Sequence, residues 1–270
     1  MTIIPYLQAA LMGVIEALTE FLPVSSTGHL ILTQHLIGFE GPPGHVFEIA
    51  IQLGAVLAVV VLYFQRLFGV VRGLNTDPSA RHFLYVSLIA FFPAIIAGAL
   101  FHTAIKELLF NPVTVCVALV VGGVAILAIE KKRPLAHVHD IETMPFKTAL
   151  LIGLAQCLAL IPGVSRSGAT IMGGLLVGVD RKCATEFSFF QAVPLIAAAT
   201  VYDLWSNRDA ITPEGMGLIS VGFITSFIGA MIMIKWMLSY VTRKGFGVFA
   251  WYRIVVGTLG LIILLVIPVL

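Results

Sequence analysis

Pro23-Val24-Ser25-Ser26-Thr27-Gly28 and Pro162-Gly163-Val164-Ser165-Arg166-Ser167-Gly168 are the two stretches that decide how this chain folds. Each falls in the middle of an apolar region, the first within 3–38 and the second within 146–178. Proline and glycine end helices, and the polar side chains beside them extend the interruption. What such a break means depends on the solvent around it, and the rest of the chain identifies that solvent.

Of the 270 residues, 59% are hydrophobic and 11% charged. Soluble domains carry about 25% charged residues, so this chain cannot keep a water-facing surface and lipid is its solvent. The net charge of +2 points to no nucleic-acid partner. Cys116, Cys157 and Cys183 have neither the spacing of a zinc site nor that of a disulfide framework and read as packing residues. The N-terminus has no basic region or small-residue cleavage site, so no removed signal peptide is expected. Hydrophobic runs at 46–64, 83–101, 113–129, 184–202, 216–236 and 249–268 are each near the ~20 residues of a membrane crossing. A broken segment survives at membrane depth only where protein or water surrounds it. The regions 3–38 and 146–178 are therefore expected to be re-entrant helical hairpins. The fold expected is all-α and integral to the membrane, with about ten helices as six crossings and two hairpins.

Loop charge tests this arrangement. Arg66, Arg72 and Arg81 lie in 65–82, and Lys131, Lys132, Arg133 and Lys147 in 130–147. Arg181 and Lys182 follow the second hairpin, and Arg243 and Lys244 lie in 237–248. In the expected loops 102–112 and 203–215, Lys106 and Arg208 are offset by Glu107, Asp203, Asp209 and Glu214. Six crossings and two hairpins put all four basic stretches on one side, the cytoplasmic one, with both termini outside. The first hairpin then enters from outside and the second from inside.

The chain also repeats itself. At an offset of 140 residues, Val24, Ser25, Gly28, Ile31, Leu36 and Gly38 meet Val164, Ser165, Gly168, Ile171, Leu176 and Gly178. One membrane domain, 1–270, is expected, with repeat halves of about 1–130 and 146–270. Three crossings per half reverse the second, giving an inverted-topology repeat whose site lies where the broken helices meet.

Ionisable groups inside a membrane are costly and mark function by default. Glu16 and Glu20 are four residues apart and share a helix face. Two anions there need a metal, an arginine or a shared proton between them. His29 lies in the same hairpin, after Ser25, Ser26 and Thr27. The second hairpin supplies Arg166, flanked by Ser165 and Ser167, with Thr170 a turn further on. A helix starts after each break, and its first N–H groups and positive dipole end attract anions. Arginine pairs with phosphate oxygens through two N–H donors. Together these groups suit a phosphate or pyrophosphate, with Mg²⁺ or Ca²⁺ bridging the carboxylates to it. A hydroxyl or an activated water would be the nucleophile. A single serine or threonine in an apolar helix more often satisfies local backbone, and His29 alone could be a core histidine. Glu16 and Glu20 together are harder to explain as structure, because burying two carboxylates is expensive. Glu48 and Glu186, each near the start of the crossing after a hairpin, are either interfacial or anchors for the breaks. Gln52, Gln156 and Gln191 are expected to hydrogen-bond hairpin backbone.

Glu16-Ala17-Leu18-Thr19-Glu20-Phe21-Leu22-Pro23-Val24-Ser25-Ser26-Thr27-Gly28-His29 and Pro162-Gly163-Val164-Ser165-Arg166-Ser167-Gly168-Ala169-Thr170 closely resemble the two signature motifs of the bacterial undecaprenyl pyrophosphate phosphatases, the bacitracin-resistance proteins. Phe47-Glu48, Ile51-Gln52-Leu53-Gly54 and Glu186-Phe187-Ser188-Phe189 extend the resemblance over essentially the whole chain. Ala17 departs from the glycine of many members. The resemblance implies removal of the terminal phosphate from undecaprenyl pyrophosphate, which recycles the lipid carrier for cell-wall synthesis. It implies a divalent cation, Mg²⁺ or Ca²⁺, an inner-membrane location and a site open to the periplasmic or outer face. Carried over by position, it assigns catalysis to Glu16, Glu20, Ser26, His29 and Arg166, with metal on Glu16 and Glu20. Ser25, Thr27, Ser165, Ser167, Gly168, Thr170 and Arg166 would contact phosphate. Ser26 is favoured as nucleophile and His29 as base or leaving-group acid; a metal-bound water is the rival nucleophile.

Two other functions compete. A transporter or flippase of polyprenyl phosphate would use inverted repeats and the same anion site, but the glutamate pair suits metal-assisted hydrolysis better. A phosphohistidine lipid phosphatase would need a nucleophilic histidine in a later motif, and the last histidine, His139, precedes the second hairpin. The partners expected are a polyprenyl pyrophosphate and membrane lipids, and a homo-oligomer is left open.

Overall fold

The computed structural model describes residues 3–42, 46–109, 111–206 and 213–266, and these contain eleven α-helices and no β-strand. The first broken region is α1 (Ile4–Thr19) and α2 (Ser26–Ile37). The second is α7 (Phe146–Gln156), a 3₁₀ turn (Cys157–Leu160) and α8 (Arg166–Leu176). At 1.5 Å per residue α1 is about 24 Å long and the others shorter still, so none spans a ~30 Å hydrocarbon layer alone. Both hairpins double back. Gln8 Nε2 donates to Ile37 O at 2.6 Å, joining the start of α1 to the end of α2. His137 N and Val138 N, ahead of α7, donate to Gly178 O just beyond α8, at 2.9 and 3.1 Å. The 140-residue offset holds in detail. The returning helices start at Ser26 and Arg166 and are followed by Gly38 and Gly178, both with positive φ. Glycine is the residue that ends a helix in this way at little conformational expense.

Between and after the hairpins lie α3 (Val46–Leu62), α4 (Phe64–Gly73), α5 (Pro78–Leu109), α6 (Pro112–Lys132), α9 (Arg181–Ser206), α10 (Pro213–Lys244) and α11 (Gly247–Val266). Four of the expected crossings coincide with stretches long and apolar enough to span: Pro78–Phe101, Pro112–Lys132, Gly215–Lys244 and Gly247–Val266. A fifth, 46–64, corresponds to α3 with α4, which together qualify but bend by 73°. The expected 65–82 loop is thus partly the helix α4. The sixth, 184–202, falls in α9, whose 26 residues are ample in length but include Arg181, Lys182, Glu186 and Gln191. The expected 102–112 loop is mostly helix, because α5 continues to Leu109. Part of the 203–215 loop, 207–212 with Arg208 and Asp209, lies outside the described residues. The result is an all-α, multi-pass membrane protein.

The chain groups into two compact units. One comprises Met1–Phe21, Ser26–Leu67 and Phe189–Met237, and the other Leu22–Ser25, Phe68–Ser188 and Leu238–Leu270. The first unit has a core of Met12, Leu30, Phe47, Ile51 and Ile219. Ser226 Oγ donates to Ile51 O at 2.7 Å there, tying α10 to α3. The second unit packs α6 against α11 and α5 against α7. At one end of it, Glu130 accepts from Arg181 Nε at 3.2 Å and from Phe246 N at 3.1 Å. At the start of α5, His82 Nε2 meets Met144 O at 2.8 Å and its ring stacks on Phe146. These contacts link segments from all four basic stretches.

The second break needs a glycine. Gly163 has φ +91°, and a Cβ there would press on Val115 O and Val115 Cα. Gly163→Ala is expected to cost ~2 kcal/mol or more, from left-handed backbone strain plus overpacking. Thermal unfolding of the detergent-solubilised variant would read the loss, and an unchanged midpoint would contradict it.

Candidate active site

Helical backbone continues to the end of the first hairpin's outer arm. Glu20 has φ −63° and ψ −44°, and its N–H donates to Glu16 O at 2.9 Å. Glu16 and Glu20 are therefore one turn apart on one face, and both are buried, Glu16 fully. Glu16 lies in the last turn of α1 and Glu20 caps it, where the helix dipole is negative and disfavours anions. A cation is the simplest stabiliser for such a pair. No group of three or more His, Cys, Asp or Glu able to hold a metal occurs among the described residues. Two carboxylates with phosphate oxygens and water completing the shell is the ordinary way a protein holds Mg²⁺, so the residues present fit that ion when the substrate carries phosphates.

After the turn at 21–24 the chain passes through Ser25, whose φ of +70° is unusual outside glycine, and α2 starts at Ser26. The reversal brings the first side chain of α2 back to the end of α1: Ser26 Oγ donates to Glu20 Oε2 at 2.6 Å. This is a short, charge-assisted hydrogen bond between a buried hydroxyl and a buried carboxylate. Thr27 is exposed, and His29, half-buried, lies one turn along α2 from Ser26.

The second break is fastened differently. Ser165 caps α8, its Oγ accepting from Gly168 N at 3.1 Å. Ser165 Oγ and Ser167 Oγ are 2.8 Å apart and reach Leu22 O in the first break, at 3.3 and 2.7 Å. Thr170 Oγ1 lies 2.8 Å from Arg166 O and 2.8 Å from Ser188 Oγ. A hydroxyl has one proton to donate, and these three are engaged by the protein. Ser165, Ser167 and Thr170 thus fasten the breaks and α9 to one another. Arg166 is half-buried, and its Nη1 donates to Ser188 O at 2.9 Å, which steadies the guanidinium from one corner.

Other expectations fare unevenly. Glu48 and Glu186 are half-buried in the first two turns of α3 and α9. Gln156 is 2% exposed, but its amide finds no hydrogen-bond partner among the described residues, so it does not hold hairpin backbone. Cys116 and Cys183 are buried free thiols and Cys157 is a half-buried one.

One residue near the breaks escaped sequence reading altogether. Arg253 of α11 is 2% exposed, and its guanidinium donates to Pro23 O (2.9 Å), Gly163 O (3.0 Å), Ala118 O (3.0 Å) and Leu119 O (3.3 Å). The signal was available, since an arginine inside an apolar span is expensive unless it has a task.

Comparison with known proteins bears on the whole chain. A family model described as bacitracin resistance protein BacA matches residues 9–259. A Sphingopyxis alaskensis protein named undecaprenyl-diphosphatase is 53% identical over 248 residues, covering 92% of this chain and 93% of its own. One of the same name from Parvibaculum lavamentivorans is 49% identical over 257 residues, covering 95% and 96%. The undecaprenyl-diphosphatase 2 of Paramagnetospirillum magneticum is 49% identical over 259 residues, covering 96% and 99%. On that extent of similarity, and with both signature breaks built as buried, polar-lined turns, this chain belongs to the bacitracin resistance protein BacA family.

Proposed function

We propose that this protein hydrolyses undecaprenyl pyrophosphate to undecaprenyl phosphate and inorganic phosphate in the bacterial plasma membrane, at a site open to the outer face. The observation that carries the reading is the Ser26–Glu20 hydrogen bond, a buried hydroxyl held 2.6 Å from a carboxylate at the turn of a membrane hairpin. The names of the relatives, at about half identity over nearly full length, support the substrate.

Ser26 Oγ attacks the terminal phosphorus, and its proton passes to Glu20. The P–O bond of the anhydride breaks, and undecaprenyl phosphate leaves with the bonding pair. Water then attacks the phosphoserine, inorganic phosphate departs, and the serine recovers its proton. The base role is assigned here to Glu20, which is hydrogen-bonded to the hydroxyl. His29 is assigned to the leaving oxygen, as a proton donor. By the family's motif, Arg166 and the positive end of α8 are assigned to neutralise the transferred phosphoryl, which carries most of the developing charge. Glu16 and Glu20 would hold a divalent cation, Mg²⁺ or Ca²⁺, which when bound would supply Lewis-acid neutralisation of phosphate oxygens. The isoprenoid tail stays in the bilayer, where apolar helix faces and lipid solvate it equally well.

Purified protein incubated with undecaprenyl pyrophosphate is expected to release one inorganic phosphate per lipid. Release should stop with a chelator and resume when Mg²⁺ or Ca²⁺ is restored. A protein that leaves the diphosphate intact yet moves the lipid between leaflets of a vesicle would instead be a flippase.

A further inference from the structure

We infer that Arg253 is a positioning residue of this site: its guanidinium locks the two hairpin breaks together and thereby sets where α8, and with it Arg166, begins. The reading rests on the proposed function only for its kinetic consequence; the lock itself is a matter of geometry. Breaks at membrane depth leave carbonyls that lack helical partners and that water cannot reach. Pro23 O and Gly163 O are two such carbonyls, one from each break, and Arg253 donates to both. The same guanidinium reaches Ala118 O and Leu119 O, so the breaks are tied to α6 and α11 as well. Four of its five N–H donors are used, in the fixed plane of the fork. The acceptors lie 90 to 230 residues away along the chain. Arg253 Nη1 also lies 3.4 Å from where a Cβ on Gly168 would be, alongside Pro23 Cβ at 3.4 Å. The first turn of α8, which carries Arg166, thus packs directly on the Arg253–Pro23 contact.

Lysine would keep the charge but not the fork, since one ammonium cannot sit in the plane of four carbonyls on three elements. Gly122 offers an independent handle. A Cβ at Gly122 would overlap Arg253 Nη2, so Gly122→Ala displaces the guanidinium without altering Arg253. Carbonyls engage all of the hydrogen-bonding corners described, so Arg253 acts through backbone position and does not touch the phosphate.

The test combines amide hydrogen exchange with kinetics on purified wild type, Arg253→Lys and Gly122→Ala. Peptides covering 21–29 and 161–170 should exchange faster in both variants, and rise together, while the α3 peptides of the other unit keep wild-type protection. Turnover of undecaprenyl pyrophosphate should fall by about 100-fold in kcat with KM little changed, the expected result when aligned groups shift by about 1 Å. Unchanged exchange at the breaks, a rise at only one of them, or a uniform rise over the whole chain would overturn the lock. Wild-type kcat in Arg253→Lys would overturn the kinetic part. Should the wild type release no phosphate, the proposed function fails, and the exchange data still decide on Arg253. Should Arg253→Lys not fold, Gly122→Ala carries the same comparison with the arginine in place.

Discussion

Ser26→Ala is expected to lower phosphate release by on the order of 10³-fold or more, and Glu20→Gln by a similar factor. Losing one positioned hydrogen-bonding group costs an enzyme about 10²–10³ in rate, and losing the nucleophile itself costs more. The two residues are joined by the 2.6 Å bond that ends the first hairpin's reversal, so each substitution disables the other partner. Alanine leaves Glu20 buried without the hydroxyl, and glutamine presents a neutral amide that does not take the proton and would bind a cation more weakly than a carboxylate. Effects of residues that act as a unit are not additive, so the double variant should be little worse than either alone. Acid quench of the wild type during turnover should trap phosphate on Ser26. Near-normal turnover by Ser26→Ala, or a quench that never traps phosphoserine, would move the attack to a water and leave Ser26 an orienting role.

Arg166→Lys is expected to lose about 10²–10³ in kcat although the charge is kept. Nη1 is anchored on Ser188 O, and this anchor holds the plane of the fork. A lysine ammonium is a compact point charge and cannot both hold the Ser188 carbonyl and present two coplanar donors to the phosphoryl oxygens. Arg166→Ala should lose more, and added guanidinium ion should restore part of its rate by reoccupying the gap. Ser188 presents its carbonyl from α9 while its Oγ engages Thr170, so Thr170→Val should act indirectly and weakly by comparison. If Arg166→Lys matches the wild type, the fork is not reading a phosphate.

Much of this was legible because the physics is local. A proline or glycine beside serines inside an apolar run can mean little else in a membrane, and the two breaks recur at the same offset to the residue. The carboxylate pair follows from the four-residue spacing alone. Glu20's helical backbone conformation bears that spacing out, and the reversal at 21–25 brings Ser26 back to it. Where reading fell short, the cause was distance along the chain. That the hydroxyls of Ser165 and Ser167 also bond Leu22 O, 143 and 145 residues away, was not legible in the motif. The 102–112 and 65–82 segments look like loops from their polar content, yet helices continue through Leu109 and start again at Phe64. Polar and charged residues do not by themselves end a helix, so composition alone separates an apolar span from its helical ends poorly.

The sequence by itself determined the solvent, the hairpins and the acidic pair, since each depends on the composition or periodicity of contiguous residues. Only the tertiary structure decided which hydroxyl faces which carboxylate, and that an arginine 230 residues from Pro23 closes the breaks. Hydrogen bonds between distant segments depend on how helices pack, and packing joins residues whose order along the chain carries no sign of the meeting.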